Sequence, residues 1–572
     1  MFLITEKRKN GTNLCIVESY RDPVTKKTKK RRIKNLGYLE DLKEQYDDPI
    51  AHFKEIARQM TKEQQSALSP MEIELDPSEA LEPGVDLIKN YGYIVLSSIY
   101  HKLKLDSFFN NHQRNIEISG NLNNMMKLLV YGSILYPGSI SQIYRNKDQF
   151  FEQMDFELDD IYIAFRCFPA LKNGLLNWLE ENMKSGYKLD TSIGYCVVSR
   201  HYFEDKQTHR QGKVGIKDYY KDPTVEIGVL TDRNGLPITY DLVPQGDSND
   251  VPQVRNKIVK RAKSLGIDNL VLIGDNGVNS PDTLYTNVHK GQKYMVAQSI
   301  RSAADSVKRY ALDYKGYIAL SPRARYKSRI IDRTLRVKTS EGSKTVRYKE
   351  KEIILYNETY ARCIKSQRED MLLKAKDLIS SPDRFIPGEY TQSRKSGGLQ
   401  YSPGRIFKNQ GTQPFIIDDE ILSEEERYDG YYLFRTSQIE QSDEELISAY
   451  TGLWEIEKSF SYIDNTYHIK PRYIKRNEHM QAHYLISYLA LVLTRILQRQ
   501  TENKYPLEKI LRSLRKCNCV QIDGNNYVQS YNDDILIDIG DSMNINFSKR
   551  FGTLAEIKEN LGYVKKTVSD SK

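Results

Sequence analysis

The stretch that most constrains the fold lies mid-chain, where the apolar pattern changes period repeatedly. VEIGVLTDRNGLPITYDLVP (225–244) predicts a β-hairpin. VPQVRNKIVKRAKSLG (251–266) has the spacing of a helix that ends at a glycine, and residues 269–274 predict a short, mostly apolar strand. This order is typical of a mixed α/β sheet. Asp275 directly follows the last strand, at the edge where open α/β sheets place their chemistry.

The length of the chain excludes a single ordinary core. Its 572 residues predict three to four structural units. No window approaches eighteen consecutive apolar residues, which predicts no membrane-spanning helix. The start MFLITEKRKN places charge where a signal peptide needs an apolar run, so we expect a cytoplasmic protein. The six cysteines are scattered and indicate neither a disulfide framework nor a zinc site.

Positive charge is concentrated in two segments. The net charge is +9, but residues 301–410 hold 25 Lys or Arg against 12 Asp or Glu, which is +13 and leaves −4 for the rest. Residues 1–40 hold 11 against 4, which is +7. Basic surface gathered in this way favours a polyanionic partner such as nucleic acid.

Three acidic residues are candidate metal ligands. Asp190 and Asp275 are predicted at strand ends, and Glu457 lies in YTGLWEIEKSFSYID (450–464), which has helical apolar spacing. Carboxylates that converge in this way can hold two divalent cations about 3.5–4 Å apart for phosphodiester chemistry. Mg²⁺ is suited to such a site because it takes a few carboxylates plus water and phosphate oxygens. Spacing alone leaves the assignment open, since a large protein offers many acidic triples.

Several motifs, in order, resemble the DDE transposases of bacterial insertion sequences, which belong to the RNase H-like nucleotidyltransferases. The resemblance extends over roughly residues 120–500. Its motifs are LDTS (189–192), DRNGLPI followed by GDSND (232–238 and 246–250), LIGDNGVNS (272–280), DGYYLFRTS leading to YTGLWEIEKSF (429–437 and 450–460), and IKPRYIKRNEHMQAHYLISYLALVLTRIL (469–497).

The resemblance implies a specific chemistry. It implies that Asp190, Asp275 and Glu457 are the catalytic, metal-binding triad of a two-metal site for Mg²⁺, in which Mn²⁺ can substitute. It implies binding of double-stranded DNA at the transposon ends, strand cleavage and transfer into target DNA by a homodimer in a synaptic complex, in the bacterial cytoplasm and associated with the nucleoid. The expected DNA-binding residues are Tyr450, Trp454, Lys458, Lys470 and Arg472.

The periodicity along the chain and the resemblance together predict a multidomain α/β fold. An RNase H-like mixed sheet with flanking helices is interrupted by a β-rich insertion, and a helical N-terminal region is preceded by a basic β-hairpin. The expected divisions are a basic hairpin and linker (1–90), a helical, DNA-binding domain (91–185), the first part of the catalytic core (186–300), a basic β-rich insertion (301–425), the second part of the core with the Glu457 helix (426–500) and a C-terminal region (501–572).

Two departures from the family pattern keep an alternative open. Leu453 and Asp464 stand where the family's helix carries an Arg and a Lys that contact phosphates. The alternative is therefore a catalytically inert DNA-binding protein, a repressor or domesticated scaffold with a nuclease-like core. Metal-dependent nicking of end DNA would distinguish the two hypotheses.

Overall fold

The computed structural model divides the chain into two compact units, Met1–Leu81 and Glu82–Lys572. The structure describes residues 2–8, 11–21, 28–43, 46, 48–66, 78, 80, 83–114, 118–202, 224–244, 251–274, 288, 291–339, 342–380, 407–410, 413–417, 419–452 and 477–566.

The N-terminal unit confirms the predicted basic hairpin and adds a strand to it. Strand β2 (Gly11–Arg21) pairs antiparallel with β3 (Thr28–Tyr38), and β1 (Phe2–Arg8) pairs along the other side of β2. Helices α1 (Leu39–Leu42) and α2 (Pro49–Ser66) follow.

The core of this unit lies between the sheet and its helices, where Leu14, Leu42 and Phe53 are buried together. Helix α2 is therefore part of a small folded unit, although its sequence had indicated a linker.

The second unit begins with a short strand, β4 (Ile88–Asn90), and continues with helices, as the periodicity of residues 91–185 predicts. They are α3 (Ile94–Lys102), α4 (Leu105–Gln113), α5 (Leu122–Leu135), α6 (Ile140–Arg145) and α7 (Leu158–Tyr187). Helix α7 has 30 residues and contains Pro169.

Among the described residues, nine strands form one mixed sheet. Its order is β10–β11–β12–β15–β9–β8–β5–β6–β7. The strands are β5 (Gly194–Tyr202), β6 (Thr224–Thr231), β7 (Pro237–Pro244), β8 (Leu270–Gly274), β9 (Lys293–Gln298), β10 (Ile318–Ser321), β11 (Ala324–Thr339), β12 (Gly342–Asn357) and β15 (Tyr431–Thr436). Strands β5, β8 and β9 run parallel, and their other neighbours in the sheet run antiparallel.

Helices cover both faces of this sheet. Helix α8 (Val251–Ser264) packs on β6 through Val254 and Ile258, which belong to the same cluster as Leu272 of β8 and Tyr294 of β9. The opposite face joins the large core that includes α13 (Asn477–Gln500).

Helix α13 is long and apolar enough over Glu478–Gln500 to cross a membrane by composition. Within the protein, 94% of that window is buried, which is the pattern of a core helix.

The predicted insertion contributes to the main sheet. Strands β10, β11 and β12 extend it beyond β15, and helices α9 (Asp305–Leu312), α10 (Glu358–Ser380) and α11 (Asp419–Glu426) accompany them. A separate pair, β13 (Phe407–Gln410) and β14 (Gln413–Ile417), forms its own short ladder. Helix α12 spans residues 443–452 of the described chain.

The C-terminal region completes the second unit. It contains α14 (Leu507–Lys516), β16 (Asn518–Asp523), β17 (Asn526–Gln529), α15 (Asp534–Met543), β18 (Phe551–Thr553) and α16 (Leu554–Lys566). Strand β16 also pairs with β4 (Ile88–Asn90), so the end of the chain folds against the beginning of the unit.

Candidate active site

The parallel strands give the main sheet two opposite edges, one where these strands begin and one where they end. Val197 of β5 pairs with Ile273 of β8, and Gly274 at the end of β8 pairs with Val296 of β9. We call the edge that β8 reaches at Gly274 the C-terminal edge. Asp275 is bonded to Gly274 in the sequence and lies outside the described residues.

The prediction of a strand that ends at Asp190 is wrong. Helix α7 continues to Tyr187, Lys188 follows in the left-handed conformation at φ 48°, and β5 begins at Gly194. Asp190 therefore lies in the turn that leads into β5. The helix persists because Leu179 and Met183 keep helical spacing and are buried in the core.

Asp190 closes this turn through its own hydrogen bonds. Its Oδ1 accepts from the Ser192 backbone N at 3.0 Å and from the Ser192 hydroxyl at 2.5 Å. These two bonds lower the pKa of the Asp190 carboxyl. The Asp190 backbone N donates to Oδ2 of Asp232 at 3.2 Å, and its carbonyl accepts from Arg233 N at 3.0 Å.

The register keeps Asp190 away from the C-terminal edge. Gly194 pairs with Leu270, four residues before Gly274, which corresponds to about 13 Å along the strands. Asp190 precedes Gly194 in the chain and therefore lies beyond the start of β5, away from the end of β8. The metal ions of a two-metal site lie about 3.5–4 Å apart. The structure thus does not bring Asp190 to the edge at which β8 ends, and residues 191–202 contain no Asp or Glu.

Helix α12 runs across the sheet toward the C-terminal edge. Near its start, Glu445 lies 3.6 Å from the guanidinium of Arg233, which is bonded to the Asp190 turn. Further along the helix, Tyr450 stacks on Phe434, which pairs with Ala297 of β9. Gly274 pairs with the preceding residue of β9, so this stack lies at the level where β8 ends. Glu457 follows Tyr450 by seven positions and lies outside the described residues.

Of the five expected DNA-binding residues, the structure describes Tyr450 alone. Its side chain is 7% exposed and belongs to the core cluster with Leu446 and Ile447. The remaining four, and the two departures from the family pattern, lie outside the described residues: Trp454, Lys458, Lys470, Arg472, Leu453 and Asp464. The placement of Tyr450 indicates a packing role for its ring.

The described carboxylates do not assemble a metal site. Within the part of the chain that the structure describes, no group of three or more His, Cys, Asp or Glu side chains is arranged to hold a metal ion. Asp275 directly follows the end of β8 in the sequence and Glu457 follows residue 452 of α12 by five positions, and both lie outside the described residues. A carboxylate pair has the oxygen donors that Mg²⁺ prefers.

A network of charges joins the insertion strands to the sheet beside α12, and the sequence had not predicted it. Glu352 of β12 is fully buried, and its oxygens accept from Arg435 of β15 at 2.7 Å and Arg329 of β11 at 2.7 Å. On the other face, Lys351 reaches Asp443 at the start of α12, with 3.0 Å between Nζ and Oδ1. The available sequence signal was alternation along two 16-residue strands, which does not reveal partners distant in the chain.

Comparison with known proteins agrees with the motif order. The family described as "Transposase DDE domain" matches residues 205–493, about half of the chain. The family described as "IS1634 family transposase, N-terminal domain" matches residues 3–71. No protein with a curated description matches the chain. A solved structure of the piggyBac transposase synaptic complex with hairpin DNA aligns with 8% identity and a TM-score of 0.28, over 83% of this chain and 84% of that chain. With a DDE domain across half its length and the family's N-terminal domain before it, this chain belongs to the DDE transposases of the IS1634 family.

Proposed function

We propose that this transposase cleaves and transfers DNA strands at the C-terminal edge of its main sheet, with Asp275 and Glu457 as metal-binding carboxylates. One observation supports this most strongly. Strand β8 ends at Gly274 on that edge, and α12 crosses the sheet toward it before the chain reaches Glu457. Asp190 has no part in this proposal because its turn lies at the opposite end of β5.

We propose further that β7, β6, β5, β8 and β9 form the RNase H-like core. Three antiparallel strands are followed by two parallel ones on the other side of β5, with α8 between β7 and β8 in the chain. The connection through α8 suits a parallel pair, which needs a crossover of a dozen or more residues.

The proposed cofactor is Mg²⁺, with Mn²⁺ as a substitute. Asp275 and Glu457 would hold it, and it would supply charge stabilisation for strand cleavage. The protein's own contribution is a buried strand that ends directly before Asp275 and a helix, packed on the sheet, that ends five positions before Glu457 in the described chain.

The proposed partner is double-stranded DNA, at the transposon ends and at the target, bound by a homodimer. Two basic segments support DNA as partner: the N-terminal residues 1–40, at +7, and residues 301–410, at +13. Lys and Arg contacts to phosphate release counterions, so binding should weaken steeply with salt.

The test compares three isosteric variants: Asp275→Asn, Glu457→Gln and Asp190→Asn. The substrate is a supercoiled plasmid that carries the gene with its native flanking DNA, incubated with Mg²⁺ or with EDTA. We expect wild type and Asp190→Asn to nick the plasmid in Mg²⁺, and the other two variants to bind it without nicking. Loss of nicking in Asp190→Asn, with its fold intact by circular dichroism, would overturn the assignment of the active site to the C-terminal edge.

The same assay addresses the inert alternative. A wild-type protein that binds the plasmid and never nicks it, in Mg²⁺ or Mn²⁺, would favour a DNA-binding scaffold.

A further inference from the structure

The start of helix α12 is bonded to the insertion strands. The Lys351 ammonium donates to Oδ1 of Asp443 at 3.0 Å and to the Gln441 carbonyl at 2.6 Å. From β11, the Ser328 hydroxyl donates to the other carboxylate oxygen of Asp443, and the Tyr326 hydroxyl donates to Glu444. Four bonds from β11 and β12 thus meet the segment from Gln441 to Glu444.

The donor of two of these bonds, Lys351, is buried. Lys351 is 8% exposed, and its strand pairs with β15 at the level of Thr436. A buried ammonium is favourable only when it is paired and hydrogen-bonded, which fixes the geometry of its partners. Asp443 and Glu444 also stand in the first turn of α12, where negative charge complements the helix dipole.

A second attachment lies two turns further along the helix. Tyr450 stacks on Phe434 of β15, and Leu446 and Ile447 are buried beside it. The helix is therefore fixed by the insertion strands at its start and by β15 in its middle. Glu457 follows Tyr450 by seven positions in the sequence, so the orientation of α12 bears on where the chain delivers Glu457.

We propose that Lys351 is a positioning residue through which the insertion sets the orientation of α12 and hence the placement of Glu457. This inference rests on the proposed metal-binding role of Glu457. Lys351 itself touches neither DNA nor a reacting atom in this proposal. The insertion, between the second and third acids in the chain, then acts on the catalytic carboxylate from within the sheet.

The test uses Lys351→Met and a matched control, Lys327→Met. Lys327 is also buried, at 2% exposed, and lies on the neighbouring strand β11. Its ammonium donates to the Asp313 carbonyl at 2.6 Å and lies over the rings of Tyr310 and Tyr317, away from α12. Both variants remove a buried charge from the insertion, but only Lys351→Met removes hydrogen bonds to the start of α12.

Three readouts are compared at several Mg²⁺ concentrations: nicking of the plasmid described above, affinity for the same plasmid, and amide hydrogen exchange of residues 443–452. For Lys351→Met we expect nicking to fall about tenfold to a hundredfold, with a higher Mg²⁺ requirement, unchanged DNA affinity and faster exchange in this segment. Lys327→Met should lower the melting temperature and leave the Mg²⁺ requirement and that exchange unchanged. Lys351→Arg should recover most of the nicking.

The outcomes separate this inference from the proposed function. If wild type nicks DNA and Lys351→Met behaves like Lys327→Met, Lys351 has only a structural role and the inference is overturned. If Glu457→Gln nicks like wild type, the proposed function fails, whatever Lys351 does. Should Lys351→Met not fold, Asp443→Asn removes the charged partner from the helix side and is expected to give the same Mg²⁺ dependence and exchange. An Asp443→Asn protein indistinguishable from wild type would overturn the inference as well.

Discussion

The ring of Tyr450 lies parallel to the ring of Phe434, with 4.5 Å between the ring centroids and 11° between the ring planes. Phe434 is fully buried in the middle of β15, and Tyr450 is 7% exposed. The family motif that led to a DNA-binding role for Tyr450 thus coincides with a core contact. This stack joins the helix that leads to Glu457 to the strand beside β9.

The stack predicts different results for two substitutions of Tyr450. Tyr450→Ala removes a buried ring and should lower the free energy of unfolding by about 3 kcal/mol, because the loss of buried aromatic area leaves a cavity. Tyr450→Phe keeps the ring and should bind the plasmid with wild-type affinity. Thermal unfolding and a salt titration of DNA binding measure both effects. A marked loss of DNA affinity in Tyr450→Phe would show that the hydroxyl contacts DNA.

The buried ion network around Glu352 predicts a large loss of stability when its carboxylate is removed. Glu352→Gln leaves the guanidiniums of Arg435 and Arg329 without their shared carboxylate and should destabilise the protein by about 3–5 kcal/mol. The control is Glu358→Gln at the start of α10, whose pair with the exposed Arg362 should contribute less than about 0.5 kcal/mol. Equal melting temperatures for the two variants would contradict the buried network.

The close approach of α8 to β6 depends on the absence of a side chain at Gly228. A Cβ at this position would lie 2.6 Å from a Val254 methyl group and 3.0 Å from Ile258. Gly228→Ala should therefore destabilise the protein by about 1–3 kcal/mol, because the helix must move away from the strand. Gly562→Ala in α16, where the added carbon meets no atom within 4 Å, should be neutral or stabilising by up to about 1 kcal/mol. Differential scanning calorimetry distinguishes the two directions.

The elements with strong local periodicity could be predicted from the sequence. The hairpin predicted at 225–244 is β6 and β7, and the helix predicted at 251–266 is α8. Each is specified by neighbouring residues: a tight turn with Gly235 at φ 77° in the first case and a 3.6-residue apolar spacing in the second. The order of the motifs likewise predicts the transposase family, which the family comparison confirms.

The arrangement around the candidate site could not be predicted because it depends on contacts distant in the chain. Asp190 stands after apolar residues that fit a strand, yet the core on α7 extends the helix to Tyr187. The position of Asp190 is then set by Asp232, more than forty positions away, through the bond from the Asp190 backbone. Sequence alternation shows which residues can share a face, and it does not show which strand lies beside which.

His101 is buried in the helical part of the second unit. Its Nδ1 is 2.7 Å from the Ser97 carbonyl, an arrangement in which the ring N–H donates. Burial, followed by the nearby Lys127 ammonium, lowers the pKa of His101 from 6.5 to about 4, although Asp106 and Glu152 act in the opposite direction. His101 is therefore neutral in the folded protein at pH 5, whereas it is largely protonated in the unfolded chain.

The sign of the pH effect follows from this difference. A depressed histidine pKa contributes stability above pH 6.5 that is lost as the pH falls toward 4, because the unfolded state gains the proton first. The loss over this window is about 3 kcal/mol at most. His101→Gln removes the titrating group and should unfold with a weaker dependence on pH between 6.5 and 4. Urea unfolding at half-unit pH steps, followed by circular dichroism, gives the slope of the free energy of unfolding against pH for each protein. Equal slopes for wild type and variant would show that His101 does not have a lowered pKa.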